Sequence, residues 1–323
     1  MVTFLVRRVV LGCLTVLLVA SAIFAIFYVL PGAAGRRPKG GVSAVAVLMA
    51  GRQGTIAQLR GIDRDLGLNR PLPVQYEHYI AGLARGDLGY SWTRRAPVIR
   101  VLAPAIPASA SIAVGASLVW LAAGVAIGIV ATLKRGSRWD RIVIGGALAG
   151  QSVPVFVVSL LALSLLFRYT GIYAGNRYVP LSHDPVQWLE AMWLPWICLA
   201  LLLTAVYARM VRGSLLEVKG EDYIRTSVAK GLRERDIVRH EVRAGLTPVV
   251  TMYGLDVGVL LGGSVIIEQI FNIPGLGSLL LTSRDFYDFP VMAGVVTIGS
   301  VAVIVANMVI DVVYAALDPR VRL

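Results

Sequence analysis

The sequence predicts an all-α polytopic membrane protein, on three observations. Hydrophobic residues make up 57% of the 323 and charged residues only 15%, with a mean hydropathy of +0.73, whereas an ordinary soluble domain carries roughly 25% charged residues. Uncharged apolar runs long enough to cross a bilayer recur along the chain, and the charges gather between them. Those charges sum to +12, which in a soluble chain would point to nucleic acid. Placed between apolar runs, the basic residues instead set topology and meet anionic headgroups, and nucleic-acid binding is not expected. Cys13 and Cys198 fall in apolar runs with no pairing pattern and read as small hydrophobes; His78, His183 and His240 are too scattered to hold a metal.

Arg7 and Arg8 precede Val9–Leu30, 22 residues without a charge, which at about 1.5 Å per residue span the roughly 30 Å hydrocarbon core. Ala20-Ser21-Ala22 imitates a signal-peptidase site, but the apolar run continues beyond it, so an uncleaved anchor is expected. Residues 31–104 turn polar, with proline turns at Pro71 and Pro73, and form an extramembranous loop or small domain. A second span, Ile106–Leu133, ends at Lys134–Arg141, where four basic residues against one acidic mark the cytoplasmic side. The third, Ile142–Phe167, holds Gly146 and Gly150 at GxxxG spacing, which allows close helix contact, and Pro154 after Ser152, which loosens the helix.

A modest loop at 169–192 has Tyr and Trp at its edges, as at a headgroup boundary. The fourth span, Trp193 to about Tyr207, leads to Arg209, Arg212 and a polar stretch, 208–247, with nine Lys or Arg and six Asp or Glu. The fifth runs from Pro248 to about Ile267 and the sixth from about Pro290 to Leu317. The basic segments before span one, at 134–141, at 208–247 and at Arg320/Arg322 alternate with less basic ones and place both termini in the cytoplasm. Residues 31–104 fall outside despite eleven Lys or Arg against four Asp or Glu, since the rule weakens in loops longer than about 60 residues.

Glu221–Pro248 is a polar island in this apolar chain. Tyr223, Ser227 and Lys230 recur at helical spacing, as do Ile224 and Val228, and Gly231 is free to take the positive φ that ends a helix. Ile237, Val238, Val242 and Leu246 then mark a second amphipathic helix, and Pro248 sits where an amide donor is least needed. A helix, a sharp turn and a helix make a rigid knob suited to a partner's groove. From spacing alone, a solvated interfacial helix with balanced charges explains the stretch equally well.

The wording Tyr223-Ile224-Arg225-Thr226-Ser227-Val228-Ala229-Lys230-Gly231-Leu232, followed by Arg239-His240 and Arg243, resembles the cytoplasmic EAA coupling loop of permease subunits of bacterial ATP-binding-cassette (ABC) importers, in the branch that imports dipeptides, oligopeptides and nickel. It departs from the general motif in Arg225, where Glu is usual, and in Ser227 and Val228, where Ala and Arg are. The resemblance extends through Leu66–Tyr76, Gly86–Ser91, Ser152–Phe156, Gly262–Gly277, Asp285 with Phe289-Pro290, and a tail of Asn307, Asp311, Tyr314 and Asp318–Arg322. It is weakest over 33–60, and Pro31-Gly32-Ala33-Ala34 lacks the acidic residue of the family's Pro-Gly-Asp-Pro.

The resemblance implies a six-helix ABC type I importer permease fold in the bacterial cytoplasmic (inner) membrane. Residues 1–30 would be the cytoplasmic end and helix 1, 31–104 an extracytoplasmic loop or small domain, and 105–323 the permease core with its coupling loop at 208–247. Its implied partners are a second, related permease in a heterodimer, two ABC ATPase subunits that bind ATP and Mg²⁺, and an extracytoplasmic substrate-binding protein. Coupling would fall to Tyr223, Arg225, Thr226, Ala229, Lys230 and Gly231, while Ser152, Pro154 and Phe156 would border the translocation path of a dipeptide or oligopeptide cargo.

No G-x-x-x-x-G-K-[ST], G-x-S-x-G or H-E-x-x-H occurs, so neither a phosphate cradle nor enzyme chemistry is expected in this chain. Asp256, Glu268 and Asp311 lie in or at the ends of spans five and six. A charge at bilayer depth costs about 2.5 to 3.5 kcal/mol on insertion scales, so each should face the protein interior or a wet cavity. Glu268 could shape an external gate and Asp256 could face the cleft, where a peptide's amino terminus would be welcome. Equally, each could make a structural hydrogen bond to a neighbouring helix, with Asn307 and Asp311 as an inter-helix clamp. The rival reading is a stand-alone secondary transporter or ion-coupled channel relaying protons or cations through these acids; it needs inverted repeats and a broken helix pair at midplane, and no convincing repeat is found.

Overall fold

The computed structural model describes residues 2–30, 42–50, 55–169 and 178–317, nearly all of them helical. The elements are α1 (Val2–Phe24) running into a π-helical turn (Ala25–Val29), α2 (Ala44–Ala50), α3 (Ile56–Asp65), α4 (Leu72–Ala84), the strands β1 (Tyr90–Ser91) and β2 (Ala96–Pro97), and α5 (Val98–Leu102). There follow α6 (Ala105–Leu133), α7 (Arg138–Ser152), α8 (Val155–Tyr169), α9 (Pro185–Lys219), α10 (Asp222–Ala229) and α11 (Glu234–Gly245). The last are α12 (Thr247–Gly263), α13 (Val265–Ile270), α14 (Leu276–Asp285) and α15 (Phe289–Leu317).

Four of the described helices are long and apolar enough to cross a membrane, over Val6–Val29, Ala105–Leu133, Pro185–Lys219 and Phe289–Val309, where spans one, two, four and six are expected. The other two expected spans are interrupted. The third is divided between α7 and α8 because Pro154 lacks an amide donor and forces Val153 to φ −105°, ψ 123°. The fifth stops after 17 residues, about 26 Å of helix, at Gly262-Gly263-Ser264, and the short α13 follows.

The chain forms two compact units, Met1–Ser109 with Pro274–Ile304, and Ala110–Ile273 with Val305–Leu323. In the first, Phe24 stacks on Tyr28 at 5.3 Å and meets Tyr76 edge-on at 5.4 Å, while the Ser21 and Tyr76 hydroxyls lie 2.7 Å apart. These contacts seat α4 on the end of α1. A capping box starts α3, with the Thr55 amide donating to Gln58 Oε1 at 3.1 Å and the Gln58 amide to Thr55 Oγ1 at 3.4 Å. One core gathers Val42, Val45, Ile62 and Phe289; another gathers Val98, Leu102, Leu276 and Val291. The two strands pair antiparallel, Tyr90 with Pro97 and Ser91 with Ala96. Ser91 then donates to Asp288 Oδ2 at 2.5 Å, both side chains being buried, and burial pushes the Asp288 carboxyl above the usual range against that bond.

In the second unit α6 and α9 are drawn into backbone contact. A Cβ on Gly124 would stand 2.6 Å from Tyr207 Cβ, and one on Gly128 2.6 Å from Val211 Cβ. The pair is the small-xxx-small spacing that lets membrane helices approach. Gly146, where the sequence predicts such a contact, would direct a Cβ at no described atom within 4 Å, and the surroundings of Gly150 lie outside the described residues. Among the described residues the motif is at work on span two. Further along, the Trp196 indole packs over Gly115 and donates to the Ser111 carbonyl at 2.8 Å, with Trp188 edge-on to it at 5.2 Å. Asp184 caps α9 by accepting from the amides of Val186 at 2.9 Å and Gln187 at 3.1 Å.

Candidate functional site

The polar island begins later than its charge suggests. Arg209 and Arg212 read as the membrane boundary, yet α9 continues as one 35-residue helix to Lys219, burying Ala208, Val211 and Leu215. The apolar stripe outlasts the first charges, and the stretch 208–219 is helix rather than loop. Only from Gly220 does the knob proper begin.

Within it the expected helix, turn and helix are present as α10, the turn at Gly231, and α11. Gly231 has φ +75°, its amide donates to the Val228 carbonyl at 2.9 Å, and the Leu232 amide donates to the Ser227 carbonyl at 3.3 Å. These two bonds make a Schellman turn, which needs a residue at ease in the left-handed region. Thr226 Oγ1 and Ser227 Oγ donate to the carbonyls of Asp222 and Tyr223, both at 2.8 Å, so neither hydroxyl is held by another element.

One side chain anchors α10. Ile224 is 2% exposed, whereas Tyr223, Arg225, Thr226, Ala229, Lys230 and Gly231 are all exposed, as is the apolar Val228. Val228 shares its helical register with Ile224 but does not share its burial. Arg225 approaches Asp222 only to 3.7 Å, an exposed pair of little energetic weight. The surface is thus held from below and left unfilled above. On the other side of the turn, α11 packs against α9 so closely that a Cβ at Gly245 would come within 2.8 Å of Leu215 Cδ2.

An ion pair that sequence reasoning missed braces this helix. Arg212 of α9 donates from Nε to Asp140 Oδ1 at 2.5 Å and from Nη2 to Oδ2 at 2.9 Å, a two-pronged contact with the first turn of α7. The Gly136 amide donates to the same carboxylate at 2.9 Å, and Ser137 caps α7. The Arg212 bond first, then the Gly136 amide, hold the Asp140 carboxyl below the usual carboxylate range. The available signal was the lone acid among the four cations of 134–141.

The residues expected along the path are distributed over several elements. Pro154 and Phe156 are exposed at the α7–α8 break; the side chain of Ser152 lies outside the described residues. Asp256, partly buried on α12, accepts from the Tyr207 hydroxyl of α9 at 2.7 Å. Tyr207 is fully buried and packs against Trp120, which also meets Tyr253 edge-on at 6.0 Å, and the Tyr253 hydroxyl donates to Ser117 Oγ at 3.0 Å. This aromatic and hydrogen-bonded knot joins α6, α9 and α12 around Asp256, and its aromatic members were not foreseen. Glu268, 0% exposed on α13, accepts from Ser264 Oγ at 2.8 Å. Asn307 is partly buried on α15; the side chain of Asp311 and residues 318–323 lie outside the described residues, as does Pro31–Ala34.

Long apolar helices joined to a helical knob with an exposed face define a multi-pass membrane protein. Residues 1–113 match the family model for the N-terminal part of binding-protein-dependent transport system membrane components, and residues 124–323 that for binding-protein-dependent transport system inner membrane components. The chain is 36% identical to the glutathione transport system permease protein GsiC of Pectobacterium atrosepticum and 35% identical to the dipeptide transport system permease protein DppB of Escherichia coli. Each alignment covers 100% of this chain and 99% of the relative. The chain belongs to the family of binding-protein-dependent transport system inner membrane components, the permease subunits of ABC importers.

Proposed function

We propose that this permease forms one half of a translocation path for dipeptides or oligopeptides, paired with a second, related permease and driven through its knob by two ATPase subunits. The observation that carries this reading is the α10–Gly231–α11 knob, anchored by Ile224 and packed on α9, with its remaining face exposed. Tyr223, Arg225, Thr226, Ala229, Lys230 and Gly231 are the coupling residues. ATP and Mg²⁺ are bound by the ATPases, and an extracytoplasmic binding protein delivers the cargo. The glutathione and dipeptide systems named for its relatives support a peptide cargo.

On this reading the chain crosses the bacterial inner membrane six times, with the α7–α8 pair as the third span, α12 as the fifth, and both termini in the cytoplasm. Residues 31–104 are extracytoplasmic. Phe156, Pro154 and Ser152 border the path, Asp256 faces it beside Tyr207, and Glu268 shapes the external gate; Asn307 and Asp311 clamp α15. Closure of the ATPases on ATP moves the knob, α9 carries the movement into the membrane, and the cleft between the permeases opens outward.

The test is to tag the chain, purify it from native membranes with whatever accompanies it, and reconstitute it in proteoliposomes. Two ATPases and a second permease are expected to co-purify, with hydrolysis and uptake stimulated by peptide-loaded binding protein. A chain that purifies alone and moves solute down an ion gradient without ATP would refute the proposal.

A further inference from the structure

The unit of 1–109 and 274–304 contains a cavity of about 850 Å³ whose lining includes Asp65, Tyr90, Trp92, Arg95, Asp285 and Tyr287. Its size is that of a small-ligand site. Two helices end there, α3 at Asp65 and α14 at Asp285, so each carboxylate adds to the partial negative charge of a helix C-terminus. Asp285 is paired with Arg284 through Oδ1 at 3.0 Å, while Asp65 has no such partner among the described residues. Opposite charge is supplied by Arg95, and apolar wall by the aromatic rings, of which Tyr287 is 50% exposed.

The backbone here is held in a costly form. Three described residues other than glycine have positive φ, and two of them line this cavity: Arg95 at 52° and Tyr287 at 54°. Tyr287 occupies the left-handed position of the Schellman turn that ends α14, with the Asp288 amide donating to the Ser283 carbonyl at 2.9 Å, where glycine would be at ease. The buried Ser91–Asp288 hydrogen bond ties that turn to the β-ribbon bearing Tyr90, Trp92 and Arg95. Strain that the surroundings over-determine in this way is characteristic of binding sites.

We propose that this cavity is a binding subsite for a short zwitterionic peptide, Asp65 and Asp285 receiving its ammonium group, Arg95 its carboxylate, and the aromatic wall its side chains. An organic ammonium suits carboxylates set among aromatic faces. The site rests on the peptide-cargo reading above.

The experiment is dipeptide binding to the purified transporter complex in detergent, without its binding protein, by calorimetry. The same dipeptide N-acetylated or C-amidated is run beside it. The free dipeptide is expected to bind, with N-acetylation and the double variant Asp65→Asn/Asp285→Asn each weakening it about tenfold or more, and Arg95→Gln removing the distinction between free and amidated carboxyl ends. Absence of dipeptide binding, or binding that these substitutions leave unchanged, would overturn the subsite. Uptake by the reconstituted complex with binding protein separates the two readings: intact peptide uptake with unchanged binding removes the subsite alone, whereas a complex that imports no peptide removes the cargo reading as well.

Discussion

At Gly231 the penalty for a side chain is set by the backbone alone, because a Cβ there would meet nothing within 4 Å. Holding an L-residue in the left-handed region costs about 1–2 kcal/mol, less for alanine in an open turn than for a β-branched residue. Proline adds a second fault: its φ is fixed near −65°, and it removes the amide that now donates to the Val228 carbonyl. Gly231→Ala is therefore expected to retain most transport, whereas Gly231→Val and Gly231→Pro redirect the chain between α10 and α11. Both should abolish uptake and substrate-stimulated ATPase activity while leaving membrane insertion intact. Uptake assays beside quantitative membrane blotting decide this, and normal uptake by Gly231→Pro would remove the turn from the coupling mechanism.

At the scale of elements, the contact between α6 and α9 is the most demanding. Leucine at Gly128 would have to displace Val211 and the Ala208 carbonyl, both within 2.8 Å of the added Cβ, and overpacking of this kind costs about 1–3 kcal/mol. Gly128→Leu is expected to lower the melting temperature of the purified chain, and Gly146→Leu, whose Cβ would meet no described atom within 4 Å, to leave it unchanged; equal effects would contradict the assigned packing. The two sites share a spacing and differ only in what faces them, which no single sequence displays. The positions of spans one, two, four and six, the break at Pro154 and the left-handed Gly231 were legible because each follows from local chemistry: hydropathy, a missing amide, a missing Cβ. Long-range partners were not. Nothing near Asp140 in sequence indicates Arg212, and Tyr207 reads as one more apolar residue at the end of a span until Asp256 is brought to its hydroxyl. The extent of α9 is hidden in the sequence for a related reason, since Arg209 and Arg212 sit on a helix whose other face stays buried through Leu215.

For the molecule as a whole, the proposed coupling requires that force at the knob reach the membrane, and α9, which is continuous with the knob, is the element we propose to carry it. Its 35 residues make about 52 Å of continuous helix, with Asp184 capping one end and the knob at the other. A rod transmits displacement only where it is gripped. The Arg212–Asp140 contact grips α9 to the start of α7 immediately before the knob, so a pull on α9 also draws on the loop at 134–137. Asp140→Asn and Arg212→Gln should therefore leave ATP hydrolysis present but reduce peptide imported per ATP hydrolysed, and the exchanged pair Asp140→Arg/Arg212→Asp should recover part of that ratio. Acid should not mimic these variants at moderate pH. A carboxyl whose folded pKa is depressed contributes stability above its unfolded value, about 3.9, and loses it only as pH falls through the lower folded value. The difference in transport ratio between the unaltered complex and Asp140→Asn is accordingly expected to persist from pH 7 to 5. The ratio measured in proteoliposomes tests both statements; a normal ratio in Arg212→Gln would show that α9 carries the stroke without this grip.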